Sequence, residues 1–202
     1  MVALDAAGVN YVDIYQRPGA YARPLPFVPG SEVAGVVRSA PAGAAVKEGD
    51  RVAAFCMLGG FAEVAVAPEF FTFPLPGELG FAEGAGLILN YHTAWFALRL
   101  RGRLREGETV LVHGAAGGVG TAAIQVAKGL GARTIAVVST DEKEQVARDA
   151  GADEVVRSDG QWKDEAKELS GGGVDVVLDP VGGDRFLDSL RKRTTRSLTT
   201  SE

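Results

Sequence analysis

The apolar positions along the chain change their period near its middle. In the first part, short β-like runs are separated by turns rich in Gly and Pro. Glu32–Val37 and Arg51–Phe55 have strand composition, with a turn at residues 47–50 between them. Residues 61–66 alternate apolar with other side chains and predict a further strand. Pro24, Pro26 and Pro29 push the residue before each of them out of the helical region, so the approach to Gly30 is extended. This half predicts a β-rich barrel or sandwich with irregular loops.

From Thr109 onward the rhythm is that of alternating strands and helices. Thr109–His113 is a short apolar run of the kind that fills a buried parallel strand. Ala122, Ala123, Val126, Ala127 and Leu130 then follow helical spacing, and Gly131 is placed to end the helix. Strands are predicted at residues 134–138, 154–156 and 174–179, and helices at 141–150, stopped by Gly151, and at 163–169. Strand, helix, strand, helix predicts an α/β fold with a doubly wound parallel sheet. No internal repeat appears.

Composition narrows the class without changing this picture. The chain has 202 residues, 46% hydrophobic and 23% charged, enough for a packed core in one large domain or two small ones. Its 27 glycines sit at turn-like positions without collagen periodicity. A formal net charge of −5 provides no positive field to gather phosphates, which argues against nucleic-acid binding. The single cysteine, Cys56, excludes an internal disulfide and a cysteine-rich zinc site; it follows an apolar strand and reads as a packed thiol. No run approaches the ~18 apolar residues that span a bilayer, and no signal peptide opens the chain, so a cytoplasmic protein is expected.

The densest chemistry lies in HGAAGGVG, residues 113–120, between the first parallel strand and its helix. A dinucleotide pyrophosphate needs a tight turn, close main-chain approach and unpaired N–H groups at a helix start. Ala115, Ala116, Gly117, Gly118, Val119 and Gly120 follow the G-x-G-x-x-G spacing, with Ala115 in the first glycine position. A side chain at Gly117 would collide with the phosphates, and one at Gly120 would separate helix from strand. The bland alternative is a glycine turn that merely joins strand to helix. About 20 residues on, where an NAD site carries an acid for the ribose 2′-hydroxyl, stands Ser139. Ser139 and Thr140 leave room for a 2′-phosphate that Lys143 would neutralise, so NADPH is the expected cofactor. Asp141 and Glu142 suit the start of the next helix.

AAGVNYVDIYQRPGAY, LPFVPGSEVAGVV, KEGDRVAAF, GGFAEVAVA, YHTAWFAL and VLVHGAAGGVGTAAIQVAK occur in this order. Over residues 3–190 the chain resembles the zinc-independent, zeta-crystallin-like quinone oxidoreductases of the medium-chain dehydrogenase/reductase superfamily. The resemblance implies a GroES-like domain at residues 1–90, a Rossmann cofactor domain at 91–190, and reduction of quinones or related enones by hydride from NADPH. It implies that Asn10 faces nicotinamide and substrate and that Asp13 and Tyr15 shape the pocket. Thr93, in the turn entering the cofactor domain, would touch the nicotinamide or cap the following helix. At the positions that carry zinc ligands in metal-dependent relatives this chain has Asn10 and Ser31, with no thiolate near residues 90–92, so no metal is expected. Glu32 would hold its loop together, and His92 and His113 are weaker candidates for acid–base work. Intact relatives pair as homodimers.

The resemblance breaks at both ends. Relatives begin with earlier strands, and after the fourth Rossmann strand and its helix they return to another apolar strand. Here residues 191–202, RKRTTRSLTTSE, hold one large apolar residue and read as an aberrant, disordered tail. On that reading both domains are partial, the cofactor domain is C-terminally truncated, a sheet edge is exposed, and the copy is weakly stable or inactive. The readings in competition are therefore a quinone reductase, an enoyl reductase of polyketide or fatty-acid type, and a nucleotide-binding remnant without turnover.

Overall fold

In the computed structural model, which describes residues 1–159, 161–183, 189 and 196–199, the chain divides into two compact units, Met1–Leu89 and Asn90–Glu202. The first unit is built on an antiparallel sheet. Its strands are β1 (Val2–Gly8), β2 (Glu32–Val37), β3 (Arg51–Phe55), β4 (Val64–Ala65) and β5 (Thr72–Pro74), in the spatial order β4-β1-β2-β3-β5. A short helix α1 (Tyr11–Gln16) leads out of β1, and α2 (Phe81–Gly84) follows β5. Val33, Ala34, Val52 and Ala54 are buried, which is why these two central strands are apolar almost throughout.

β1 is a strand that periodicity alone does not announce. Its pairing with β2 runs from Val2↔Val37 to Gly8↔Glu32, with a register shift between Leu4 and Ala6 that leaves Asp5 exposed. Such a bulge breaks the period-two alternation by which a strand is recognised. The strand expected over residues 61–66 is shorter, only Val64–Ala65. The N–H of Phe61 is instead drawn to the carbonyl of Pro29 at 3.0 Å.

A helix α3 (Ile88–Trp95) passes into a π-helical turn at Phe96–Arg101. The second unit then follows the predicted alternation: β6 (Thr109–His113), α4 (Gly118–Gly129), β7 (Arg133–Val138), α5 (Asp141–Asp149), β8 (Glu154–Arg157), α6 (Trp162–Leu169), β9 (Val176–Asp179) and β10 (Arg196–Thr199). The sheet order is β10-β9-β6-β7-β8, all parallel, with Val112 paired to Ala136 on one side and to Leu178 on the other. Gly131 adopts φ +74° just after α4, as a helix terminator does. Both faces of the sheet are covered. Val110, Val112 and Leu178 pack with Ile124, Ala123 and Leu98, while Leu111, Ile135 and Val177 pack with Trp162 and Ala166. Each large apolar side chain so buried contributes roughly 1.5–3 kcal/mol.

β10 corrects one expectation. Within the tail read as disordered, Arg196–Thr199 pairs in parallel with Val176–Asp179. An edge position asks only for main-chain donors and acceptors along one side, and a segment without proline offers them even when its side chains are polar. The low apolar content of the tail bears on central strands and not on this one. The remainder of the tail, and the helix expected to follow β9 apart from Ser189, lie outside the described residues. Among the described residues, no helix is long and apolar enough to cross a membrane.

Candidate functional site

The two units carry two different constellations. In the second unit, the loop between β6 and α4 crosses from sheet to helix in four residues. Gly117 is the N-cap of α4 and has no side chain with which to cap it, so the first-turn N–H groups of Gly118, Val119 and Gly120 are presented at the helix start. The glycines of the loop do different work. A Cβ on Gly120, which is buried, would stand 2.3 Å from the Gly114 carbonyl oxygen and 2.7 Å from Ala115, so packing within the chain demands glycine. A Cβ on exposed Gly117 would meet only the Gly114 oxygen at 3.3 Å. The protein has little need of glycine there, whereas an anion seated on the helix N-terminus would. Ala115 is fully buried, and Ala116 and Val119 partly so, anchoring the loop against the sheet core.

At the carboxyl end of β7, Ser139 and Lys143 come together: Nζ of Lys143 donates to the Ser139 hydroxyl at 3.1 Å, and both residues are exposed. Thr140 caps α5 by accepting the Lys143 N–H at 3.3 Å. The nearby acids are engaged elsewhere. Arg157 donates to Asp141 and, at 2.7 Å, to Glu144, which Arg148 also reaches at 2.7 Å, so these two acids are ion-paired beside the Ser139–Lys143 pair. Thr93 does not lie in a turn and caps no helix; it sits inside α3. Residues 88–95 contain no Gly or Pro, and their helix start is satisfied from a distant strand, as described next.

In the first unit, polar side chains from three segments interlock. Asp13, 3% exposed, spends both carboxylate oxygens within the protein. One accepts the Asn10 N–H at 2.8 Å; the other accepts the Gly30 N–H at 3.2 Å and the Ser31 hydroxyl at 3.4 Å. Its place is therefore to hold Asn10 and the Gly30–Ser31 turn rather than to meet a ligand. Glu32 is fully buried. Its Oε1 accepts the N–H groups of Ile88 at 2.6 Å and Leu89 at 3.2 Å, and its Oε2 accepts from Nδ2 of Asn10 at 3.2 Å. Burial pushes the Glu32 carboxyl above its ordinary range. The hydrogen bonds from Leu89, Asn10 and Ile88 oppose that rise, and the Asp13 charge adds to it. The expectation that Glu32 holds its own loop together is corrected: its side chain accepts from Asn10, Ile88 and Leu89, and it caps α3. Tyr15 is half-exposed and packs against Tyr11 and Tyr21.

Of the remaining candidates, His113 is buried, edge-on to Trp162, with Nε2 3.2 Å from the Ser189 hydroxyl. His92 is exposed on α3. Cys56 is buried, its thiol pushed up by burial. Among the described residues, no three His, Cys, Asp or Glu side chains gather as metal ligands. The donors near the expected zinc positions are an amide, a hydroxyl and a carboxylate already taken up by three N–H groups, a set that does not fit zinc.

Comparison with known proteins places these constellations. Residues 1–77 match the alcohol dehydrogenase GroES-like domain family, and residues 118–196 match the zinc-binding dehydrogenase family. Quinone oxidoreductase of Rattus norvegicus is 39% identical over 197 residues, covering 95% of this chain and 60% of that protein. A probable oxidoreductase from Mycobacterium abscessus is 49% identical with a TM-score of 0.86, covering 96% of this chain and 62% of the other. Escherichia coli quinone oxidoreductase, solved with NADPH, is 37% identical with a TM-score of 0.83, covering 94% and 60%. The CurK enoyl reductase is 26% identical with a TM-score of 0.86, covering 98% and 64%. The chain thus spans about 60% of the length of the curated relatives it matches. With a GroES-like unit ahead of a Rossmann unit and this set of relatives, the chain belongs to the medium-chain dehydrogenase/reductase superfamily and is quinone oxidoreductase-like.

Proposed function

We propose that this chain is an NADPH-dependent, zinc-independent reductase of quinones or related enones. The observation that carries the reading is the helix start at Gly117–Gly120, where Gly117 leaves open a space that the protein's own packing does not require. The first-turn N–H groups of α4 would hold the pyrophosphate, where a helix N-terminus favours negative charge. Ser139 and Lys143 would take the adenosine 2′-phosphate, the hydroxyl donating a hydrogen bond and the ammonium supplying charge. Thr93 is assigned to the nicotinamide side on the family resemblance. When bound, NADPH supplies the hydride.

The work left to the chain is positioning and polarisation. Reduction of a quinone or enone builds negative charge on the acceptor oxygen, and a preorganised donor lowers the cost of that charge. Asn10 is assigned that part, with Tyr15 shaping the pocket. Asp13 acts indirectly by holding the Asn10 main chain. Similarity to the CurK enoyl reductase favours a second acceptor class, an enoyl thioester. A homodimer is proposed on the resemblance alone.

Fluorescence titration with NADPH and NADH, followed by NADPH oxidation assays with a 1,4-quinone and with an enoyl thioester, tests the reading. NADPH should bind at least tenfold more tightly than NADH, and the quinone should be the faster acceptor. Faster turnover of the thioester supports the enoyl reductase. NADPH binding without turnover of either acceptor leaves a nucleotide-binding protein. Absence of NADPH binding overturns the proposal.

A further inference from the structure

Glu32 is a full carboxylate at 0% exposure, and desolvation makes such a group expensive unless its partners repay it. Its oxygens serve different ends. Oε1 takes two main-chain N–H groups at the start of α3, a duty that a Ser, Asp or Asn in the adjoining loop ordinarily performs. Oε2 takes the side-chain amide of Asn10, whose main-chain N–H is separately held by Asp13. Asn10 is thus pinned at main chain and side chain by two different buried carboxylates.

We propose that Glu32 is a positioning residue for Asn10, holding one hydrogen of its side-chain nitrogen and so fixing where the second hydrogen, the donor proposed above, points. The functional consequence rests on the role proposed for Asn10 above. An ionised carboxylate only accepts hydrogen bonds, so it selects the nitrogen end of the amide. Two N–H groups already occupy Oε1, so a proton added to Glu32 goes to Oε2. That proton would be donated to the oxygen end of Asn10, with the amide turned over. Asn10 therefore has one amide orientation for each protonation state of Glu32. The Asp13 charge reaches this carboxylate and raises it, and the charges of Asp13 and Glu32 in turn raise the Cys56 thiol.

The test uses the full chain and its Glu32→Gln, Asn10→Ala and double variants. In E32Q the Gln oxygen continues to accept from Ile88 and Leu89, which keeps the chain folded, while its nitrogen opposes Nδ2 of Asn10 donor to donor. Side-chain amide spectra, with Asn10 assigned by its loss in N10A, should show both Asn10 resonances displaced in folded E32Q. Quinone reduction should fall about tenfold in kcat with KM for NADPH unchanged, the size of one charge-assisted hydrogen bond. That loss should vanish in the N10A background, because Glu32 then has no amide to orient. Unmoved Asn10 resonances, or an equal loss with and without Asn10, overturn the proposal. A chain that binds no NADPH would sink the functional reading instead, and the amide spectra would still decide the part of Glu32. Should E32Q fail to fold, acid titration of the wild-type chain decides: the Asn10 resonances must follow the Glu32 carboxyl carbon. Resonances that follow Asp13, or that stay still, overturn it.

Discussion

The two candidate regions are made of different material. The loop at Gly114–Gly120 is a surface of main chain, defined by where side chains are absent. The network of Asn10, Asp13, Ser31 and Glu32 is made of side chains, each bonded to a segment distant in sequence. Main-chain recognition suits a ligand common to many reductases, since it needs only a turn, a helix start and space. Side-chain recognition can be retuned residue by residue, which suits the part of a site that meets a variable acceptor.

The largest effect should separate the loop glycines. Gly120→Val should destabilise the second unit by about 3 kcal/mol or more, since its Cβ would lie 2.3 Å from a carbonyl oxygen. Thermal and denaturant melting read that loss; a Gly120 variant as stable as wild type would mean that the loop shifts freely. Asp13→Ala should come next, at about 2–4 kcal/mol, by stranding the Asn10 and Gly30 N–H groups and the Ser31 hydroxyl. It should lower stability without touching the preference for NADPH over NADH.

Gly117→Ala sharpens the contrast within one loop. Its nearest contact would be 3.3 Å, so stability should change by less than ~1 kcal/mol while NADPH affinity falls about tenfold. Equal losses in stability and affinity would make Gly117 a packing glycine like Gly120. Lys143→Ala should weaken NADPH binding by about tenfold, leave NADH binding unchanged and spare the melting temperature, because the Lys143 side chain is exposed and its Nζ donates to exposed Ser139.

The smallest effect is the pH dependence contributed by Glu32. Its folded pKa is raised by burial, so the folded state holds the proton more tightly than the unfolded chain. Its stabilising contribution is complete below the ordinary carboxylate range and is lost as pH rises through the raised folded value. Stability-versus-pH curves of wild type and E32Q should therefore differ in slope over that interval. Parallel curves would show that Glu32 keeps its ordinary affinity for protons.

The second unit was largely legible because its determinants are local. Apolar runs, helical spacing, the loop glycines and Gly131 all lie within the elements they specify, and β6, α4 and β7 form where expected. The first unit hides more. The bulge in β1 scrambles its alternation, and α3 depends on a cap supplied from 56 positions upstream. Thr93 was misplaced for that reason: nothing adjacent to Ile88 announces a helix start. Asn10 and Asp13 were visible as a motif. The division of labour between them was not, because it depends on which donors the Gly30–Ser31 turn brings to the Asp13 carboxylate.

The reach of the Glu32 carboxylate bears on synthesis. Until Ile88 and Leu89 have been made, β2 can pair with β1 and β3, yet Oε1 of Glu32 lacks both N–H partners. Placing the charge at zero exposure is then disfavoured, so burial of Glu32 is expected to follow the arrival of Ile88 and Leu89. Loop-closure entropy over that distance grows only slowly with length, so the delay is set by arrival of the partners rather than by the search for them.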